Sequence, residues 1–171
     1  MKQDPDAAFD AIVALNRENG AMPGEYLYLP ESPTPERAVW LAGKLNDLTP
    51  NECSNLIQSQ GLGMLGSSPE AALAFTRALT DPANRRQMAD YAARSMPSIG
   101  VEAALPQLEF LGDPPARLAY LENFTSSFQR AIDSPGITPA GDQLLRTALQ
   151  QWQATPQQIE TIMTRVHAPP P

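Results

Sequence analysis

Apolar side chains recur at spacings of three and four along most of the chain, and most of the segments that carry them open on a proline. That spacing gathers the apolar residues on one face of an α-helix. The first segment runs from Pro5 to about Glu18, with Phe9, Ile12 and Val13 on its face, and stops near Gly20. Pro35 to Asp47 presents Ala38, Leu41 and Leu45, and Pro50 to Gln60 presents Cys53, Leu56 and Ile57 before Gly61. Pro69 to Leu79 carries Leu73 and Phe75, and Pro82 to Ser95 carries Met88, Tyr91 and Ala92. Val101 to Leu111 offers Ala104, Leu105 and Leu108, with Pro106 in its second turn either shifting the start or kinking the helix. Pro114 to Ile132 offers Leu118, Leu121, Phe124 and Phe128, and Pro139 to Gln153 and Pro156 to His167 complete the set. The stretch Gly61 to Gly66 reads as a connector, and no run alternates in the manner of a strand. The prediction is an all-α fold of about nine short helices.

The 18 prolines, about twice average usage, reinforce this pattern. Most follow a Ser, Thr or Asp, as in Asp4-Pro5, Thr34-Pro35, Thr49-Pro50, Ser68-Pro69, Asp81-Pro82, Asp113-Pro114, Thr138-Pro139 and Thr155-Pro156. A side-chain oxygen at the N-cap accepts from an otherwise unpaired N–H, and proline suits the next position because its φ is preset and its missing N–H had no partner. Thr49 with Glu52, and Thr155 with Gln158, add capping-box spacing.

Some of these helices recur as pairs. Glu70-Ala71-Ala72-Leu73 aligns with Glu102-Ala103-Ala104-Leu105 at a shift of 32, which also carries Leu79-Thr80-Asp81-Pro82 onto Leu111-Gly112-Asp113-Pro114 and Arg85 onto Arg117. Pro35-Glu36-Arg37-Ala38 matches Pro69-Glu70-Ala71-Ala72 at a shift of 34. Two helices per 32 to 34 residues, over about residues 35 to 132, resemble the α-solenoid hairpin repeats of the tetratricopeptide and HEAT-like kind, here in the degenerate form of bacterial Asp-Pro-Glu-Ala-Ala-rich proteins. The Trp, Leu-Gly and Tyr pattern of tetratricopeptide repeats is not met, since Trp40 is followed by Leu41-Ala42-Gly43. The resemblance implies stacked helix pairs with a concave binding face. A compact helical bundle of similar-looking helices is the alternative.

One domain is expected across residues 1–171: an N-terminal helix (1–19), an extended Pro/Gly-rich arm (20–33), the hairpin repeats (34–132), a C-terminal helix pair (133–167) and a disordered proline tail (168–171). With 12 Lys and Arg against 19 Asp and Glu, the net charge of −7 disfavours nucleic acid and anionic lipid as partners. No stretch approaches the roughly 18 apolar residues of a membrane span. As written the chain reads as cytoplasmic, or as periplasmic where a secretory leader has been removed.

Catalytic and metal chemistry find little to work with. Cys53 is the one cysteine and reads as a small buried hydrophobe, and His167, the one histidine, reads as a frayed surface residue before the proline tail. Gly61 to Gly66 lacks the Lys-Ser or Lys-Thr of a phosphate loop. No cofactor and no metal are expected. Glu31-Ser32, between Pro30 and Pro33, faintly resembles the Glu-Ser of lysozyme-like transglycosylases, so a helical glycan-cleaving enzyme with a buried carboxylate is kept as an alternative. A small inhibitor protein that blocks a larger complex is another.

Two groups of residues read as binding candidates. Arg85, Arg86 and Arg117 sit in the matched copies, where Arg85 and Arg117 are equivalent and would line one ridge of a stack. In the arm, Tyr26, Leu27 and Tyr28 lie between Pro23-Gly24 and Pro30; an extended path puts Tyr26 and Tyr28 on one side and Leu27 and Leu29 on the other. The functional expectation is a noncatalytic module that binds a partner protein or peptide through its helical-repeat surface and this arm.

Overall fold

The computed structural model describes residues 5–19, 33–123 and 136–167. The fold is all-α, and no strand occurs among the described residues. Helix α1 spans Pro5–Asn19, and α2 spans Pro35–Lys44 and tightens into a 3₁₀ turn at Leu45–Asp47. Next come α3 (Pro50–Leu56), a π turn (Ile57–Gly61), α4 (Leu62–Ser67), α5 (Pro69–Ala78) and α6 (Pro82–Ile99). The chain continues through α7 (Val101–Ala104), a 3₁₀ stretch (Leu105–Leu111), α8 (Pro114–Glu122), α9 (Pro139–Gln151) and α10 (Pro156–His167). None of the described helices is long and apolar enough to cross a membrane.

The proline starts fall where the capping argument puts them. Thr34, Asp81, Asp113 and Thr138 each accept a backbone N–H of the first turn, from Arg37, Ala83, Ala116 and Gly141. Thr155 and Gln158 exchange bonds of 2.9 and 3.3 Å. Ser68 departs from the pattern. It ends α4, giving its N–H to Met64 O, while preceding Pro69 of α5, and its φ of −151° and ψ of 80° leave its side chain without a capping bond. One residue serving two helices cannot also take the geometry of a cap.

Three segments differ from the pattern-based expectation. Gly61 to Gly66 is not a connector: the chain passes through the π turn into α4 without leaving helical conformation. Pro82 starts a helix that runs beyond Ser95, carries a buried Pro97 and ends at Gly100, whose φ of 91° suits glycine. Pro106 changes the helix type. It has no N–H to offer Glu102, and after one α turn the chain continues as a seven-residue 3₁₀ stretch. The two copies aligned at a shift of 32 therefore open differently, one on the α-helix α5 and the other on α7 with its 3₁₀ continuation. Helix α8 ends at Glu122; Phe124 and Phe128 lie outside the described residues, as does the tail from 168 onward.

The core runs through the middle of the helices. Helices α2 and α5 pack along faces in which Ala38, Ala42, Ala71 and Ala72 are all fully buried, and such short side chains let two helices approach closely. Phe75, Leu41, Leu56, Ile57, Met88, Met96 and Leu108 fill the interior that α2 to α6 and the 3₁₀ stretch enclose. At the other end α7 meets α9, where a Cβ on Gly141 would lie 3.2 Å from Val101 Cγ2, and α10 closes on α8 and α9 through Ile159, Ile162, Met163 and Val166.

Helix α1 lies against α2, and its far end reaches the start of α3. Asp6 meets Trp40 and Lys44, Asp10 meets Lys44, and Arg17 meets Glu52, so rising numbers on α1 meet rising numbers opposite. Phe9 and Trp40 form an edge-to-face pair with centroids 5.8 Å apart, and Val13 and Asn16 complete the buried face.

The glycines of the π turn and α4 separate two physical roles. A Cβ on Gly61 would sit 2.4 Å from Sδ of the fully buried Met88, whereas a Cβ on Gly63 would meet nothing within 4 Å. Urea denaturation of Gly63→Ala should show a gain of up to ~1 kcal/mol from helix propensity alone. Gly61→Ala should lose about 1–3 kcal/mol to overpacking. Equal gains from both substitutions would show that Met88 does not need the glycine.

Candidate functional site

Of the residues singled out in the sequence, Tyr26, Leu27, Tyr28 and Glu31 lie outside the described residues. Arg85 and Arg117 do come to equivalent places. Arg85 Nη2 donates to Thr80 O at 3.1 Å and Arg117 Nε to Gly112 O at 2.8 Å, so each guanidinium folds back onto the carbonyl just before the capping aspartate of its own helix. Arg117 also lies over the Trp152 ring, 5.5 Å from its centroid. Both cations brace turns of the fold. Arg86 is exposed.

The two residues with lone chemistry are also engaged. Cys53 is buried and its Sγ–H donates to Leu45 O at 2.9 Å; burial, with Glu52 and Asp81 nearby, pushes its thiol pKa upward. His167 is not frayed. It closes α10 and lies 2.6 Å from Asp142 on α9. Among the described residues no three His, Cys, Asp or Glu side chains gather as a metal site would require.

A concavity lined by both apolar and charged side chains lies between α1 and the end of α2. It holds about 200 Å³. Phe9, Val13 and Ala14 of α1 and Leu48 make its apolar floor, and Asp10, Arg17, Lys44 and Asp47 stand around it. Helix α1 supplies Phe9, Val13 and Arg17 at spacings of four, which keeps them on one flank, and the 3₁₀ turn after α2 brings Asp47 and Leu48 opposite.

Two ion-pair knots fix the walls. Lys44 Nζ lies 2.8 Å from Asp6 and 3.6 Å from Asp10, and 5.9 Å from the Phe9 ring centroid; Asp6 also accepts the Trp40 indole N–H at 3.0 Å. The bond from Lys44, with that from Trp40, holds the Asp6 carboxyl below its ordinary pKa, and Asp6 in turn raises that of Lys44. At the other end Arg17 binds Glu52 with both arms, Nε to Oε1 at 2.7 Å and Nη2 to Oε2 at 2.8 Å. Glu52 also accepts from the backbone N–H and the hydroxyl of Thr49, each at 2.8 Å, in the capping box of α3. These bonds, Arg17 first, hold the Glu52 carboxyl down to about 2 against the opposing effect of burial.

The capping box was visible in the sequence, but the second use of Glu52 was not, because Arg17 lies 35 positions earlier. The groove escaped notice for the same reason: α1 looks like an ordinary amphipathic helix, and nothing local says which flank meets Lys44. The Asp6 and Asp10 pair, four apart beside Phe9, was the available signal.

A carboxyl held low when folded stabilises the fold above its unfolded pKa, near 4.5, and that stability drains away as the pH falls towards 2. Glu52→Gln should therefore cost about 1–3 kcal/mol at neutral pH. Its acid limb in melting temperature against pH should be shallower, converging with the parent near pH 2. Parallel acid limbs would show that the Arg17 pair contributes nothing to acid stability.

Comparison with protein-family models, with curated proteins and with solved structures found no match to this chain.

Proposed function

We propose that this chain is a noncatalytic interaction module, a stack of helical hairpins that takes a side chain of a partner protein or peptide into the groove between α1 and α2, with the adjoining 20–33 arm contributing to the contact. The observation that carries the reading is the size and make-up of the groove. About 200 Å³ lies below the roughly 300–1,000 Å³ usual for small-molecule sites and suits one or two anchor side chains. An apolar floor within a charged rim is the anatomy of an interface core and its surround.

The hairpin-repeat reading draws support from contacts one period apart. The Thr80 hydroxyl donates to Asn46 at 2.5 Å across 34 residues, Gln87 donates to Ser54 across 33, and Arg77 binds Glu109 across 32. In a stack of repeats, equivalent positions of neighbouring units are the ones that touch. Among the described residues the buried carboxylate is Glu52, and Arg17 holds it ionised, whereas an acid catalyst needs a raised pKa; Glu31 lies outside them.

The test is a plug. Ala14 lines the groove and is otherwise exposed, so Ala14→Trp should fill it while leaving the melting temperature within about 2 °C. Against a partner isolated from the native host, the expected loss is about tenfold or more in affinity. Tyr26→Ala with Tyr28→Ala should also weaken binding. Unchanged affinity on plugging removes the groove from the contact, and glycan cleavage abolished by Glu31→Gln would replace the module with the enzyme.

A further inference from the structure

The charges around the groove are not balanced, and this bears on what can enter it. Four carboxylates, of Asp6, Asp10, Asp47 and Glu52, stand at the rim or just behind it, against the two cations Arg17 and Lys44. At the start of α2, Glu36 and Arg37 add one charge of each sign, and the Arg37 guanidinium lies over the Trp40 ring, 5.3 Å from its centroid. Both cations are already committed: Arg17 spends its fork on Glu52, and Lys44 is shared between Asp6 and Asp10. Three of the four carboxylates face outward, Glu52 being buried. Asp10 is 70% exposed and Asp6 56% exposed, and Asp47 is exposed too. Helix α1 ends at Asn19, two residues past Arg17, and the negative end of its dipole adds to the same field.

From this we infer that the occupant of the groove is a peptide segment in which one apolar side chain is flanked by Lys or Arg. The inference rests on the docking reading above. The apolar side chain covers Phe9, Val13 and Leu48, and the flanking cations reach Asp10 on one wall and Asp47 on the other. A segment flanked by acids meets like charge on both walls, and the two described cations that line the groove, Arg17 and Lys44, are already paired. The net charge of −7 over the whole chain steers in the same direction, favouring approach of a basic partner.

Three synthetic amidated nonapeptides, identical but for the central triplet, separate the terms: Lys-Leu-Lys, Glu-Leu-Glu and Lys-Ser-Lys. Each is titrated into the ¹⁵N-labelled full chain at low salt. The Lys-Leu-Lys peptide should shift the amides of Ala14 and Leu48 and bind at least about fivefold more tightly than either of the others, with its margin over Glu-Leu-Glu shrinking in 0.5 M salt. Asp47→Lys, a change at an exposed position, should narrow that margin without altering the melting temperature. Equal or tighter binding of Glu-Leu-Glu at the same amides would overturn the charge inference and leave the docking site standing. Binding of Lys-Ser-Lys as tight as that of Lys-Leu-Lys would overturn the apolar anchor. If no peptide moves Ala14 or Leu48, the docking site and the inference both fall.

Discussion

Glu52 receives four hydrogen bonds, two from the Arg17 guanidinium and two from Thr49, and the position of α1 follows from how those demands are met together. The Thr49 bonds fix the carboxylate at the start of α3, since a capping box has one geometry. Arg17 must then come to it, which sets where the far end of α1 can lie. The near end is set by Asp6 against Trp40 and Lys44. Held at both ends and seated on Phe9 and Val13, α1 stays beside α2 and leaves between them the space that makes the groove. A carboxylate with only 10% of its side chain exposed would be costly to bury alone. The pairing with Arg17 offsets that cost, so the attachment of α1 and the start of α3 depend on one another.

Where the rules are local, the fold could be read from the chain. The Thr-Pro and Asp-Pro starts determine helix beginnings through interactions spanning two or three residues, and the helices begin at the expected Pro35, Pro50, Pro82, Pro114, Pro139 and Pro156. The effect of Pro106 was legible as an interruption, but its outcome, a 3₁₀ stretch in place of a bend, depends on Leu108 and Leu111 packing against α6. Gly61 to Gly66 was misread because three glycines in six residues carry a poor helix propensity. Tertiary packing overrides it: Ile57, Met64 and Leu65 are buried, and helical backbone is what takes all three inward.

The candidate site was far less legible. Its floor residues Phe9 and Val13 belong to the core face expected of α1 and are buried, but Leu48 lies just past the predicted helix Pro35 to Asp47, where no pattern marks it. The arginines drew attention because of their equivalence in the repeat. That equivalence is present in space, since Arg85 and Arg117 make the same return to a carbonyl five residues back. Arg85 and Arg117 share a structural task at their turns, whereas the groove residues have no counterpart at a shift of 32.

The close seat of Met88 against Gly61 bears on chemical ageing of the protein. With its sulfur 2.4 Å from where a Cβ on Gly61 would lie and no solvent exposure, Met88 is shielded from oxidants while the fold is closed. Methionine sulfoxide carries an added oxygen on that sulfur and a strong dipole, and neither has room or a partner beside the π turn. Damage there would enter during moments of opening and then hold α6 away from the π turn, so the rate of oxidation at this one thioether reports how often the core between α6 and the π turn comes apart.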